Sequence, residues 1–117
     1  MKVIVIFVTI FLFNTGLVNA QFTGPVADRS ELSVEKAAEA RVGTYAVVTG
    51  HIINQLGEDY YTFQDDTGEI RVEIAQGLWR NQAVNPETVV RMQVEVDTNI
   101  FGRRYLWVES IDVLEEE

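Results

Sequence analysis

Five β-type runs follow one another between Tyr45 and Leu114, and the alternation within them constrains the fold more than any other feature of the chain. Successive side chains on a strand point to opposite faces, so a period of two marks a sheet with one buried and one wet face. Glu69-Ile70-Arg71-Val72-Glu73-Ile74 alternates strictly, which sets Ile70, Val72 and Ile74 toward a core. The first run, Tyr45 to Ile53, is β-branched and apolar with Gly50 near its middle, and a glycine inside a strand marks a bend or bulge. A turn at Gly57-Glu58-Asp59 leads to the second run, Tyr60 to Gln64. Asp65-Asp66-Thr67-Gly68 then reads as a hairpin, with Asp shaping the turn and Gly supplying a positive φ. Thr88 to Asp97 alternates through Val90, Met92, Val94 and Val96. The last run, Tyr105 to Leu114, offers Leu106, Val108 and Ile111 to the core, and the step of three at its end predicts a bulge.

The segments between and before these runs are of another kind. Ser33 stands as a helix N-cap before Val34 to Arg41, which is rich in helix formers and carries Glu35 in its first turn. Val34, Ala37, Ala38 and Arg41 share one helical face, and Gly43 ends the segment. Ala75 to Val84 loses the alternation and Asn85-Pro86 breaks the chain, so a short helical or irregular connection joins the third strand to the fourth. An open sheet of five strands would leave two unpaired edges, whereas closure removes them. The expectation is a mainly β domain, a small closed barrel of five strands with a short N-terminal helix. An open sheet with one helix packed on it is the alternative.

Fold reasoning excludes the first residues. Met1-Lys2 is a short positive start, Val3 to Phe13 is apolar apart from Thr9, and Val18-Asn19-Ala20 places small residues at a cleavage site. This pattern predicts a secretory signal peptide over residues 1–20, cleaved after Ala20, and hence export. An uncleaved anchor would need about 18–20 apolar residues, so no stable membrane insertion is expected after cleavage. Gln21 to Leu32, with Gly24-Pro25 and no periodicity, reads as a flexible leader, leaving 33–117 as the domain. Glu115-Glu116-Glu117 is a solvated tail. The chain has no cysteine, which excludes disulfides, thiolate metal sites and a cysteine nucleophile. Its formal charge of −9 becomes −10 once Lys2 is removed. Such a charge repels phosphate backbones and anionic lipid, so nucleic acid is an unlikely partner.

Several stretches, in order, carry a family resemblance. They are the signal peptide with Phe22-Thr23-Gly24-Pro25, then Val48-Thr49-Gly50-His51-Ile52, then Glu58 to Gly68, then Ile70 to Ile74, then Trp79, Asn85-Pro86 and Val94-Glu95-Val96-Asp97. From about Ser33 onward the chain resembles the bacterial OB-fold family of exported stress-tolerance proteins (the BOF, or YgiW/YdeI-like, family). The resemblance implies a five-stranded OB-fold barrel exported to the periplasm, associated with tolerance of envelope stresses, without enzymatic activity and without catalytic residues to carry across. The turn Asn99-Ile100-Phe101-Gly102-Arg103-Arg104 departs from the family by being longer and more basic.

The residues themselves argue against catalysis. His51 is the only histidine, and neither a Ser-His-Asp set nor a glycine-rich phosphate loop can be assembled. No cofactor is expected. Carboxylates cluster at Glu58-Asp59 and at Asp65-Asp66 with Glu69, yet without the spacing of an EF-hand. Asp59, Asp65 and Asp66 are therefore weak metal candidates, and acidic turn residues are the simpler account. The habitual binding surface of the fold is the outer face of its second and third strands with the flanking loops. Here that surface would present Thr49, His51, Tyr60, Thr62, Glu69, Arg71 and Glu73, with Phe101, Arg103 and Arg104 from the loop between the last two strands. An aromatic beside two arginines can grip a planar or anionic group. Single-stranded nucleic acid would need several stacking aromatics along a positive groove, so an envelope glycan, peptide or small ligand fits better. Trp79 is expected to plug a barrel end. Trp107 falls out of phase with Leu106 and Val108, which makes it an exposed contact candidate, for instance toward another envelope protein.

Overall fold

The computed structural model describes residues 29–114, so the expected signal peptide, most of the expected leader and the acidic tail lie outside the described residues. Five long strands carry the architecture: β2 (Tyr45–Gln55), β3 (Tyr60–Asp65), β4 (Gly68–Glu73), β5 (Val90–Thr98) and β6 (Arg104–Val113). They are preceded by a two-residue strand, β1 (Ser30–Glu31), and one turn of helix, α1 (Val34–Ala37). The pairing order is β1-β2-β3-β4-β6-β5, and β5 returns to β2, which closes a five-strand barrel. Its pairs are antiparallel except β4 with β6, which run parallel through Val72↔Leu106 and Glu73↔Trp107.

Closure depends on β2 changing partners halfway. Tyr45 to Gly50 pairs with β5, whereas His51 to Gln55 pairs with β3. The switch falls at Gly50, where a Cβ would stand 2.4 Å from the Gln64 carbonyl oxygen and 2.9 Å from the Phe63 ring. Only a residue without a side chain lets β3 cross that closely. A second irregularity follows at once, where the register slips between Ile52 and Asn54 and sharpens the bend. The bulge expected in the last strand is present too. Gln93 pairs with Ser110 and Val94 with Val108, so Glu109 is the extra residue.

All of the core positions expected from the alternation are buried. Val72, Ile74, Val90, Met92, Val94, Val96 and Leu106 are fully buried, with Ile70, Val108 and Ile111 almost so. Ala46, Val48, Ile52, Tyr61 and Phe63 complete the barrel interior. Val34 and Ala37 close it from outside, so the short helix does lie on the barrel.

Three local expectations differ from what is found. The helix stops at Ala37 rather than Arg41, because the chain must already turn toward β2: the Gly43 N–H donates to Val96 O at 2.8 Å, and the Ala40 carbonyl accepts from Arg104 Nε. Ala38 and Arg41, placed on the buried helical face by sequence, are exposed. The leader does not stay unpaired to Leu32, since Ser30 and Glu31 pair in parallel with Ala46 and Val47. Gly68 opens β4 opposite Asp65 with a φ of 159°, positive as expected. The connection after β4 contains a 3-10 turn, Gln76–Trp79, as its lack of alternation suggested.

Gly50→Ala is expected to destabilise the protein by about 3 kcal/mol or more, since the clash is with backbone and cannot be relieved by a rotamer change. Thermal or urea unfolding of the variant beside the parent checks this. A loss below about 1 kcal/mol would mean that β2 can reach its two partners without a sharp bend.

Candidate functional site

The outer face of the β3–β4 hairpin forms one wall of the site. Tyr60 pairs with Glu73 and Thr62 with Arg71, so Tyr60 and Arg71 are diagonal neighbours on the wet side. The Arg71 guanidinium lies over the Tyr60 ring, 4.4 Å from its centroid, which fixes an otherwise mobile cation in place.

The β5–β6 loop forms the opposite wall, and a single asparagine shapes it. Asn99 Oδ1 accepts from the N–H groups of Phe101 and Arg103 at 2.9 and 3.0 Å. The Asn99 N–H donates to Arg103 O, and its carbonyl accepts from Gly102, whose φ of 83° favours glycine. Ile100 and Phe101 are thereby held out at the tip, 92% and 87% exposed. Between the two walls lies an open cleft of about 970 Å³ that brings Tyr60, Arg71, Phe101, Arg103 and Arg104 together with Glu69 and Tyr105. Arg104 is partly committed, because its Nε donates to the Ala40 carbonyl at 2.8 Å. Arg103 is exposed and makes no ion pair among the described residues. Burial pushes the Tyr105 hydroxyl up, and the charges of Asp97 and Glu73 together with its bond to Asp97 push it further, so it stays a protonated donor at neutral pH.

The other expected site residues lie elsewhere. Thr49 and His51 line a second, shallower depression of about 380 Å³ with Asp65, Asp66 and Thr67. The Thr49 hydroxyl donates to Glu31 Oε2 at 2.7 Å, and His51 is half-buried with an Nδ1 that has no hydrogen-bond partner among the described residues. Thr62 flanks Arg71 but does not line the cleft. Trp107 is 45% exposed on the outer face of β6, away from both depressions. Trp79 packs edge-on against Tyr61 with centroids 5.4 Å apart, beside the core as expected. The exposed Ile100, unremarkable in sequence beside Phe101, is a cleft residue that only its place at the loop tip reveals.

The acidic turns have structural duties. Asp65 Oδ2 accepts from the Val34 N–H at 2.9 Å, and Oδ1 accepts from the Thr67 N–H and hydroxyl. Thr67 Oγ1 in turn accepts from the Glu35 N–H, and Ser33 Oγ accepts from the Lys36 N–H. The hairpin tip and Ser33 thus share the orphan donors of α1. Asp59 Oδ1 accepts from Gln76, tying the β2–β3 turn to the 3-10 segment. Among the described residues no group of three or more His, Asp or Glu side chains converges as a metal ion requires.

A five-strand barrel with a bent, partner-switching first strand and a cleft over its second and third strands is an OB fold. The sequence matches the profile described as Bacterial OB fold (BOF) protein over residues 14–113, and the chain belongs to that family. Two curated relatives agree. The calcium-regulated OB-fold protein CarO of Pseudomonas aeruginosa is 35% identical over 103 residues, covering 88% of each chain. Protein YgiW of Escherichia coli is 32% identical over 87 residues, covering 65% of this chain and 67% of the relative. The solved structure of E. coli YgiW superposes with a TM-score of 0.70 at 30% identity, covering 82% of this chain and 100% of that one. No helix among the described residues is long and apolar enough to cross a membrane.

Burial raises the Asp65 carboxyl, but the bonds from the Thr67 hydroxyl and from the Val34, Thr67 and Gly68 N–H groups outweigh it and hold the group below its ordinary 3.8. A carboxyl lowered on folding stabilises the protein above the unfolded value, and that contribution disappears as pH falls through the folded one. Asp65→Ala is expected to cost about 1 kcal/mol near neutral pH through the lost cap, with the difference from the parent closing at acid pH. Unfolding curves of both proteins across pH check this, and a gap that persists undiminished in strong acid contradicts it.

Proposed function

We propose that the protein is a non-enzymatic, exported binding module that receives an anionic or planar group in the cleft between the β3–β4 face and the β5–β6 loop. One observation carries this reading: Arg71, fixed over Tyr60, faces across the cleft an exposed Phe101 and an Arg103 that has no ion pair among the described residues. Two guanidinium forks and an aromatic face can clamp a carboxylate-bearing or phosphate-bearing ligand of the envelope, such as a glycan fragment, a peptide or a small molecule. On a chain of net charge −9 this is a local basic spot, so affinity rests on short-range geometry rather than on the overall field. Nucleic acid would meet the acidic remainder of the surface. The N-terminal signal pattern supports export to the periplasm, where a role in envelope stress tolerance fits the family.

Cation sequestration through Asp59, Asp65 and Asp66 receives no support. Two of these carboxylates already accept hydrogen bonds that hold the fold, and they do not converge.

The test is an amide NMR titration with carboxylate-bearing and neutral envelope glycan fragments, followed by calcium. The expected result is a set of shifts confined to Tyr60, Arg71 and Phe101 to Arg104 with the acidic fragment. Arg71→Ala combined with Arg103→Ala should weaken that binding by about tenfold or more, near 1.4 kcal/mol or above. Arg104 is left in place because it also holds Ala40. Unchanged affinity in the double variant would remove the cleft from the account, and calcium shifts at Asp59, Asp65 and Asp66 would favour sequestration instead.

A further inference from the structure

The strand register places five outward side chains on one continuous rung around the barrel. Tyr45 pairs with Glu95, Glu95 with Trp107, Trp107 with Glu73, and Glu73 with Tyr60. Aromatic and carboxylate side chains therefore alternate across β2, β5, β6, β4 and β3. The two outer aromatics each carry a cation of the chain itself. The Arg29 guanidinium lies over Tyr45, 4.9 Å from the ring centroid, and reaches Glu109 at 2.6 Å. Arg71 lies over Tyr60 at 4.4 Å. The central aromatic carries none: Trp107, the best cation-binding ring type, is 45% exposed between two glutamates that pair with no cation among the described residues.

We infer that this rung docks a basic segment of a partner polypeptide, with an arginine side chain stacked on Trp107 between Glu73 and Glu95. The chain shows the intended chemistry at the end of its own rung, where Arg29 uses one aromatic face and one carboxylate together. Cross-strand neighbours lie about 5 Å apart, so both glutamates are within reach of a guanidinium seated on the indole. The rung curves with the closed barrel, and its central part, from Glu95 across Trp107 to Glu73, spans two strand spacings, roughly 10 Å, the length of about three extended residues. Barrel closure leaves no free sheet edge here, so recognition runs through side chains and not by strand addition. Asp97 adds negative charge nearby, and its field joins that of Glu73 and the larger effect of burial in raising Tyr105. A second copy of the chain would bring a surface of the same sign, net −9, which repels this face. Tyr60 belongs to both the rung and the basic cleft, but Glu73, Glu95 and Trp107 do not line the cleft, so either assignment can fail alone.

The test uses a blocked peptide of alternating arginine and glycine, long enough to span the rung, titrated into the purified protein while the indole N–H signals are followed. The Trp107 signal is expected to shift, and the Trp79 signal to stay. Glu73→Gln with Glu95→Gln, which keeps shape and removes charge, is expected to weaken binding by about tenfold or more, as should raised ionic strength. Trp107→Phe should weaken it less. A matched glutamate peptide binding equally well, or full affinity in the glutamine double variant, would overturn the inference. Spermidine shifting Trp107 with the peptide's affinity would overturn the assignment to a polypeptide. An unchanged amide spectrum outside the rung confirms that the variants fold.

Discussion

Everything outside the barrel depends on the close crossing of β2 and β3 at Gly50. Without a side chain there, the Gln64 carbonyl and the Phe63 ring can come within the distance a Cβ would occupy, and β2 can leave β5 for β3. That change of partner turns a sheet with two exposed edges into a closed wall, satisfying the strand backbone and burying one face of every strand. The seventeen buried apolar side chains among the described residues then form a single cluster. The remaining irregularities, the slip after Ile52 and the extra Glu109 in β6, serve the same curvature.

Closure also determines what the outside can display. Because inward residues are spent on the core, each wet residue is held at a fixed spacing from its cross-strand neighbours. This sorts a strongly acidic chain into regions of different character. Arg71 on β4 meets Arg103 from the β5–β6 loop across one cleft, whereas Glu73 and Glu95 bracket Trp107 on the neighbouring wall. Loop rigidity matters as much as strand register, since Asn99 holds the tip so that Ile100 and Phe101 face solvent and cannot fold back onto the barrel.

Residue patterns carried the fold to a considerable depth and the site to a lesser one. The alternation of Glu69 to Ile74 and of Val90 to Val96 was legible because burial of one face imposes it. The bulge before Ile111 was legible because it breaks that period. The helix end was not, since its residues are good helix formers to Arg41 and only the demand of β5 on Gly43 stops them at Ala37. Asp65 read as a turn residue, and the bond it accepts from the Val34 N–H joins segments 31 residues apart that no local pattern links. The grouping of Thr49 and His51 with Tyr60 and Arg71 failed for a similar reason. All point outward, but the bend at Gly50 carries the first pair round to a different depression.

The amino-acid sequence by itself determined which residues are inward and which outward, where the strands turn, and the sign of the overall charge. These follow from near-neighbour chemistry: side-chain period, turn propensity and counting. Only the tertiary structure decided which outward residues face one another, because that depends on register between strands far apart in the chain. Tyr60 and Arg71 become a stacked pair through the β3–β4 register, and Trp107 acquires its two glutamates through separate pairings with β4 and β5. A slip of one residue in any of these pairs would keep the composition and erase the surface.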